Sequence, residues 1–327
     1  MPDVSMTFAC GLYDRMLALY TGEVKPEGID LNFLAIDDPR QIFDRMGKNL
    51  EFDACEMSSS EVISRLAVGR NEMVALPVFP SRVFRHGFVT VNRTAVKTPK
   101  DLEGKRIGIP LYTQTAAVFI RGLLRDEYGV DLSGVHWVQG ATNSAESHGH
   151  PAAPPLLLEK VSIEQNASGR SLSELLERGE IQAILGSGLP DALRTNPDVQ
   201  RLFPDFHALE LDYFRRTRIF PIMHLVAVRR ELYERHPFIA TSLYKAMTEA
   251  KDTALRKMRN VGALRYMLPG MTAELDEIDD VFGGDPWPYG IEPNRPTLDA
   301  LVRYMTEQSL IKAPIPVEEL FVPIYGQ

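Results

Sequence analysis

The apolar positions of the chain's first part switch repeatedly between two spacings. Val4–Cys10 is a short apolar run closed by Gly11, and residues 13–20 (YDRMLALY) then space their apolar side chains as a helix does. Ile29–Ala35 predicts a strand, residues 39–47 a short helix carrying Ile42, Phe43 and Met46, and residues 52–56 a second short strand. Residues 58–68 open on serines suited to a helix cap, and residues 73–77 are again strand-like. This β-α-β-α order predicts a parallel sheet with helices on its faces.

The pattern then restarts. Residues 87–92 are extended, and residues 97–102 (KTPKDL) offer a Thr cap, a Pro at the first helical position and an early acid. Strand-like residues 106–110 precede an amphipathic helix over Thr115–Tyr128 with Gly129 as its C-cap. Residues 135–138 form a strand, residues 141–155 an irregular loop, residues 171–178 a helix and residues 181–185 a strand. The apolar stretch 220–228 reads as a return crossing, and residues 237–259, 273–280 and 297–308 as helices. The expectation is an α/β protein of two lobes: residues 1–88 with 222–327 in one, and 89–221 inserted as the other. Two crossings, 81–92 and 218–229, would join them. Strand C-termini and helix N-termini of both lobes then face one cleft, where open α/β sheets bind ligands and where free N–H groups favour an anion.

Composition narrows the partners. The 327 residues exceed the size at which one core stops growing, roughly 250–300 residues. Net charge is −8, the opposite of what a phosphate-neutralising surface needs, so nucleic acid is not an expected partner. No run reaches the ~18 apolar residues of a membrane span, and residues 1–15 have neither a basic nor an apolar leader region, so a cytoplasmic protein is expected. Cys10 and Cys55 end neighbouring strands and read as buried reduced thiols.

Several reactive side chains fall at predicted strand ends. Arg82 and Arg85 flank Phe84 beside His86, and guanidinium forks suit planar carboxylates, although surface arginines would look the same. His224 interrupts the apolar run FPIMHLVAV, as either a core histidine or a proton carrier. Glu56 is either a helix cap or a site acid, Thr113 and Thr115 either caps or ligand donors, and Tyr13 and Arg15 either a helix start or site residues. Ser59 and Ser60 read as caps, with no base nearby to make a nucleophile. His148 and His150 lack the Cys, Asp or Glu companions of a metal site.

The segments FACGLYDR, EFDACEMS, PVFPSRVFRHG, IRGLL with YGV, DYFRRTRIFPIMH, RHPFIATSLYKA and DPWPYGIEPNRPTL, in this order over nearly the whole chain, resemble the 4,5-dihydroxyphthalate decarboxylase family. The resemblance implies a type II periplasmic-binding-protein-like fold. It also implies cofactor-independent loss of one carboxylate from an aromatic dicarboxylate, giving 3,4-dihydroxybenzoate and carbon dioxide. That reaction needs a cationic clamp and a proton donor, for which Arg82 with Arg85, and His224 or His86, are the candidates. Glu56 with Tyr13 or Arg15 would meet the hydroxyl edge, and Phe79, Phe84, Phe220 and Trp287 would form apolar walls. Leu111 and residues 186–190 (GSGLP) depart from the family pattern on the second lobe's cleft face, which leaves the exact aromatic acid open. The rival expectation is a non-catalytic cytosolic protein that binds or senses an aromatic carboxylate. An iron-dependent enzyme of thiamine-precursor synthesis would need more cysteines than two. Oligomeric state stays open, a homo-oligomer included.

Overall fold

The computed structural model describes residues 3–148, 157–158 and 160–325. Eleven strands are described: β1 Val4–Cys10, β2 Ile29–Ala35, β3 Ala54–Ser58, β4 Met73–Arg82, β5 Val89–Asn92, β6 Arg106–Ile109, β7 His136–Gln139, β8 Ile163–Gln165, β9 Ala183–Leu185, β10 Val199–Arg201 and β11 Ile222–Arg229. They form two sheets, in the orders β2-β1-β3-β11-β4 and β10-β5-β9-β6-β7-β8. The chain leaves the first sheet at Arg82 and re-enters it at Ile222, so everything in the second sheet lies between those residues.

The first sheet departs from the expected parallel form. β1 runs parallel to β2 and β3, but β11 inserts between β3 and β4 antiparallel to both. The returning chain therefore supplies the strand that completes the first lobe, and its near-continuous apolar run is that of a strand covered on both faces. Its pairing with β4 is irregular on both sides of His224. Such irregularities re-aim side chains and concentrate beside sites.

The long helices match their sequence signals. Phe238–Met258 and Arg295–Glu307 lie close to the expected spans, and Thr115–Tyr128 ends on left-handed Gly129 (φ 62°). Residues 97–102 make a 3-10 turn over Pro99–Leu102, with the Thr98–Asp101 capping box. The short helices Ala192–Thr195 and Arg230–Arg235, the helix Phe206–Thr217 and the strands β8 and β10 had no clear periodicity. The C-terminal segment stays on its own lobe, where Phe321 bridges to Ala75 beside β4 and caps an open edge.

The lobes are joined by more than two crossings. The second lobe's helix Thr115–Tyr128 is buried from Thr115 to Leu124, and Ala116, Val118, Phe119 and Leu123 belong to the first lobe's core. It lies against Arg295–Glu307: Phe119 meets Tyr304 edge-on at 6.0 Å, Arg121 Nε donates to Gln308 Oε1 at 2.8 Å, and Gln308 Nε2 donates to the Val118 carbonyl at 2.9 Å. Gly122 permits the approach, since a Cβ there would sit 2.5 Å from the Tyr304 ring. Gly122→Ala is therefore expected to lower unfolding free energy by about 1–3 kcal/mol despite its better helix propensity. Adding Tyr304→Ala should make the double variant less damaging than the sum of the singles, as denaturant titration of the four proteins would reveal.

Candidate active site

Register places the central pair. In the β3–β11 ladder His224 lies opposite Ser58 and Val226 opposite Glu56. Alternate residues of a strand share a face, so Glu56 and His224 are diagonal neighbours. Their side chains meet with Nδ1 2.5 Å from Oε1. The same oxygen accepts from the Tyr13 hydroxyl at 2.9 Å, and Oε2 accepts from the Gly11 N–H at 3.2 Å, with the Cys10 thiol at 3.5 Å.

Glu56 is 0 % exposed. Burial works against its charge, but the positive field and hydrogen bond of His224, with donors from Gly11 and Tyr13, outweigh it and hold the carboxyl below the usual range. An ionised carboxylate only accepts, so the Nδ1 of His224 carries the hydrogen. That leaves Nε2 as the nitrogen available to a molecule in the cavity. Phe43 stands edge-on to the imidazole at 4.9 Å and fixes its plane. Burial pushes the Tyr13 hydroxyl well up, Glu56 adds to that shift, and it remains a neutral donor.

Tyr13 and His224 line a cavity of about 340 Å³ between the lobes, a size within the usual range for small-molecule sites. Its first-lobe wall includes Arg40, Phe43, Ser58, Ser60, Glu61 and Ser81; Arg85 comes from the crossing segment, and Leu111, Thr113, Gln114, Thr115, His148 and Ser187 from the second lobe. Two helix N-termini meet there through hydroxyls. Thr115 Oγ1 accepts from the Ser60 N–H at 3.0 Å and lies 3.0 Å from Ser58 Oγ, while Ser60 Oγ donates to the Thr113 carbonyl at 2.8 Å. Ser58 and Ser60, among the serines expected to cap a helix, thus bridge the lobes instead, while Ser59 Oγ has no hydrogen-bond partner among the described residues.

Arg85 is the buried cation of this wall. Nε and Nη1 have no hydrogen-bond partner among the described residues, and the guanidinium packs 4.8 Å over the Phe88 ring. Burial lowers its pKa to about 9, so it is charged at neutral pH. An unpartnered buried guanidinium is costly alone and favours an anion in the adjoining cavity.

Other expected residues lie elsewhere. His86 does not line the cavity with His224; it is enclosed by Tyr128, Phe203 and Tyr213, and burial lowers its pKa to about 4. Arg82 turns to the Phe220 carbonyl, donating from Nη2 at 3.0 Å. Arg15 is held between the rings of Tyr13 and Trp287, at 4.3 and 4.4 Å, and donates to the Pro80 carbonyl at 2.6 Å. Phe79 is fully buried, and Trp287 donates its indole N–H to the Phe79 carbonyl at 2.8 Å. These residues brace the site from behind rather than facing a ligand. Phe84 and Phe220 stack on each other at 4.4 Å, likewise outside the cavity wall. His148 lies 3.1 Å from Gln114 Nε2, and Gln114 also donates to Ser187 at 2.9 Å. His150 lies outside the described residues. Among those residues no group of three or more His, Cys, Asp or Glu is placed to hold a metal ion.

Arg40, Phe43, Glu61 and Gln114 were not legible as site residues, whereas Ser187 falls in the 186–190 segment expected on the second lobe's cleft face. Phe43 is one of the apolar positions of the helix Pro39–Asn49, and Glu61 stands in the first turn of Ser59–Ala67, where an acid is ordinary. Only the flanking serines and the Thr113–Thr115 segment hinted that two helix starts converge.

No protein-family model matches the chain. Among curated proteins, a 4,5-dihydroxyphthalate decarboxylase from Comamonas testosteroni is 35% identical over 333 aligned residues, covering 99% of this chain and 98% of its own length. A second, of the same name from Pseudomonas putida, is 35% identical over 218 residues, covering 66% of this chain and 83% of its own length. Among solved structures, the periplasmic aliphatic sulphonate binding protein of Escherichia coli superposes with TM-score 0.55 at 12% identity, covering 100% of this chain and 94% of its own. The alkanesulfonate-binding protein of Xanthomonas axonopodis pv. citri bound to MOPS gives 0.53 at 11%, covering 98% and 99%. Those structural likenesses establish a two-lobed periplasmic-binding-protein fold. The sequence likeness over the full chain goes further: the protein belongs to the 4,5-dihydroxyphthalate decarboxylase family, a family of carboxy-lyases.

Proposed function

We propose that this protein removes one carboxylate from 4,5-dihydroxyphthalate, giving 3,4-dihydroxybenzoate and carbon dioxide, in the breakdown of phthalate-type acids. The observation that carries the reading is the Glu56–His224 pair opening onto the cavity that Arg85 also lines. A hydroxyl para to the departing carboxylate feeds an electron pair into the ring. His224 Nε2 delivers a proton to the carbon that bears that carboxylate. The carbon–carbon bond then breaks, its pair restores aromaticity, and carbon dioxide leaves. The substrate is its own electron source, so this route needs no pyridoxal, flavin or thiamine.

Each group has a distinct part in the step. Glu56 holds Nδ1–H and steadies the imidazolium before transfer. Arg85 holds the carboxylate that stays. The departing carboxylate is better left without a strong cation, because a tight ion pair would stabilise the ground state as the charge disappears. Val83, Met223 and Phe43 supply an apolar surface near His224 for it.

Incubating the purified protein with 4,5-dihydroxyphthalate should release carbon dioxide and a catechol product; saturable binding with no product would instead support a solute-binding role. His224→Asn, whose amide can still donate to Glu56, should lower kcat by about 10²–10⁴-fold with little change in ligand affinity. Unchanged turnover would remove His224 from the reaction. Arg85→Met should weaken binding of phthalate, read by calorimetry, by about 30-fold or more.

A further inference from the structure

We propose that Glu61 is the base that takes the proton from the substrate hydroxyl para to the departing carboxylate. This rests on the decarboxylase reading above, which requires such a group and leaves it unnamed. Glu56 cannot fill the role: it is 0 % exposed, and its two oxygens are occupied by His224, Tyr13, Gly11 and Cys10. Glu61 is the other buried carboxylate of the site, and it lines the cavity from the first turn of the helix Ser59–Ala67.

Its bonds leave it free to accept. Arg65 approaches Oε1 at 3.3 and 3.4 Å, and Arg40 approaches Oε2 at 3.5 Å. Charge-assisted contacts of full strength are shorter, about 2.7–2.9 Å. Both arginines have closer partners elsewhere: Arg40 meets Asp44 at 2.6 Å, and Arg65 donates to the Gly47 carbonyl at 2.8 Å. The other acids and bases near the wall are committed or exposed. Asp38 is exposed and caps the helix Pro39–Asn49 through the Arg40 N–H, and His148 is engaged with Gln114.

The surroundings also set its basicity. Burial raises the Glu61 pKa, and Arg40 and Arg65 offset this only in part, so it ends above the usual carboxylate value. A base poised closer to neutrality transfers protons more effectively. The charged and titratable groups around it are Arg40 and Asp44 from the helix Pro39–Asn49, Arg65 with Glu72 beside it, the buried Cys55 thiol, and His148 beyond Arg40.

The proton account closes. The Glu61 carboxylate takes the hydroxyl proton, and the phenolate pair moves into the ring. The ring carbon takes a proton from His224, and carbon dioxide leaves with the ring restored. Glu61 returns its proton to the product phenolate, and water reprotonates His224, so one proton is consumed per turnover.

The test is the pH profile of kcat for Glu61→Gln beside wild type, with phthalate, which lacks hydroxyls, as the binding probe. At neutral pH the variant should lose about 10²-fold or more in kcat. Its rate should then climb as alkali ionises the phenol in solution, while phthalate affinity stays at the wild-type value. A loss of equal size at every pH, wild-type turnover, or loss of phthalate binding together with activity would overturn the proposal. Should Glu61→Gln not fold, Glu61→Asp keeps a carboxylate and should retain the wild-type profile shape at a lower rate; unchanged kcat there would also overturn it. Wild-type protein that releases no carbon dioxide would remove the decarboxylase reading itself, whereas normal wild-type turnover with a pH-independent defect removes only the role of Glu61.

Discussion

A carboxylate buried at Glu56 is tolerable only because the protein surrounds it with donors. Taking such a group out of water costs several kcal/mol, and the cost is offset only when its lone pairs are met. Here the β1 turn supplies the Gly11 N–H, the following residues supply Tyr13, and β11 supplies His224. These donors come from segments far apart in sequence, so the buried charge exists only once the first sheet is complete. β11 is the last strand of that sheet in chain order. Folding of the first lobe and assembly of the candidate proton donor are therefore one event.

The second consequence concerns the lobes. In this chain the helix Thr115–Tyr128 belongs by connection to the second lobe and by packing to the first lobe's core. The Ser58–Ser60–Thr115 hydroxyl cluster and the Gly122–Tyr304 contact hold the cavity's two walls in register. Preorganised walls suit chemistry, since a reacting group gains from being held where the charge develops.

Local patterns made most of the fold legible. The spans of β1, β2 and Thr115–Tyr128 follow directly from apolar periodicity and a C-cap glycine. The short pieces between residues 190 and 220 did not, because strands and helices of three or four residues hold too few positions to show a period. The antiparallel course of β11 was equally hidden, since an apolar run buried on both faces does not state its neighbours.

The candidate site divides along the same line. Tyr13, Arg85, Thr113 and Thr115, which follow strand ends, were visible because the connection order alone points strand ends at a cleft, whereas Glu56 and His224 lie inside β3 and β11 and owe their meeting to register. The sequence could not decide among neighbours of like chemistry. Arg82 and Arg85 are three residues apart, and His86 and His224 share the same two crossings, yet only Arg85 and His224 line the cavity. Side-chain direction is set by register and by what packs behind, so the irregular β4–β11 pairing and the aromatic cage around His86 made that choice. Composition, connection order and strand ends were determined by the sequence itself. Which charged groups face the cavity, and which brace it from behind, was decided only when distant strands paired.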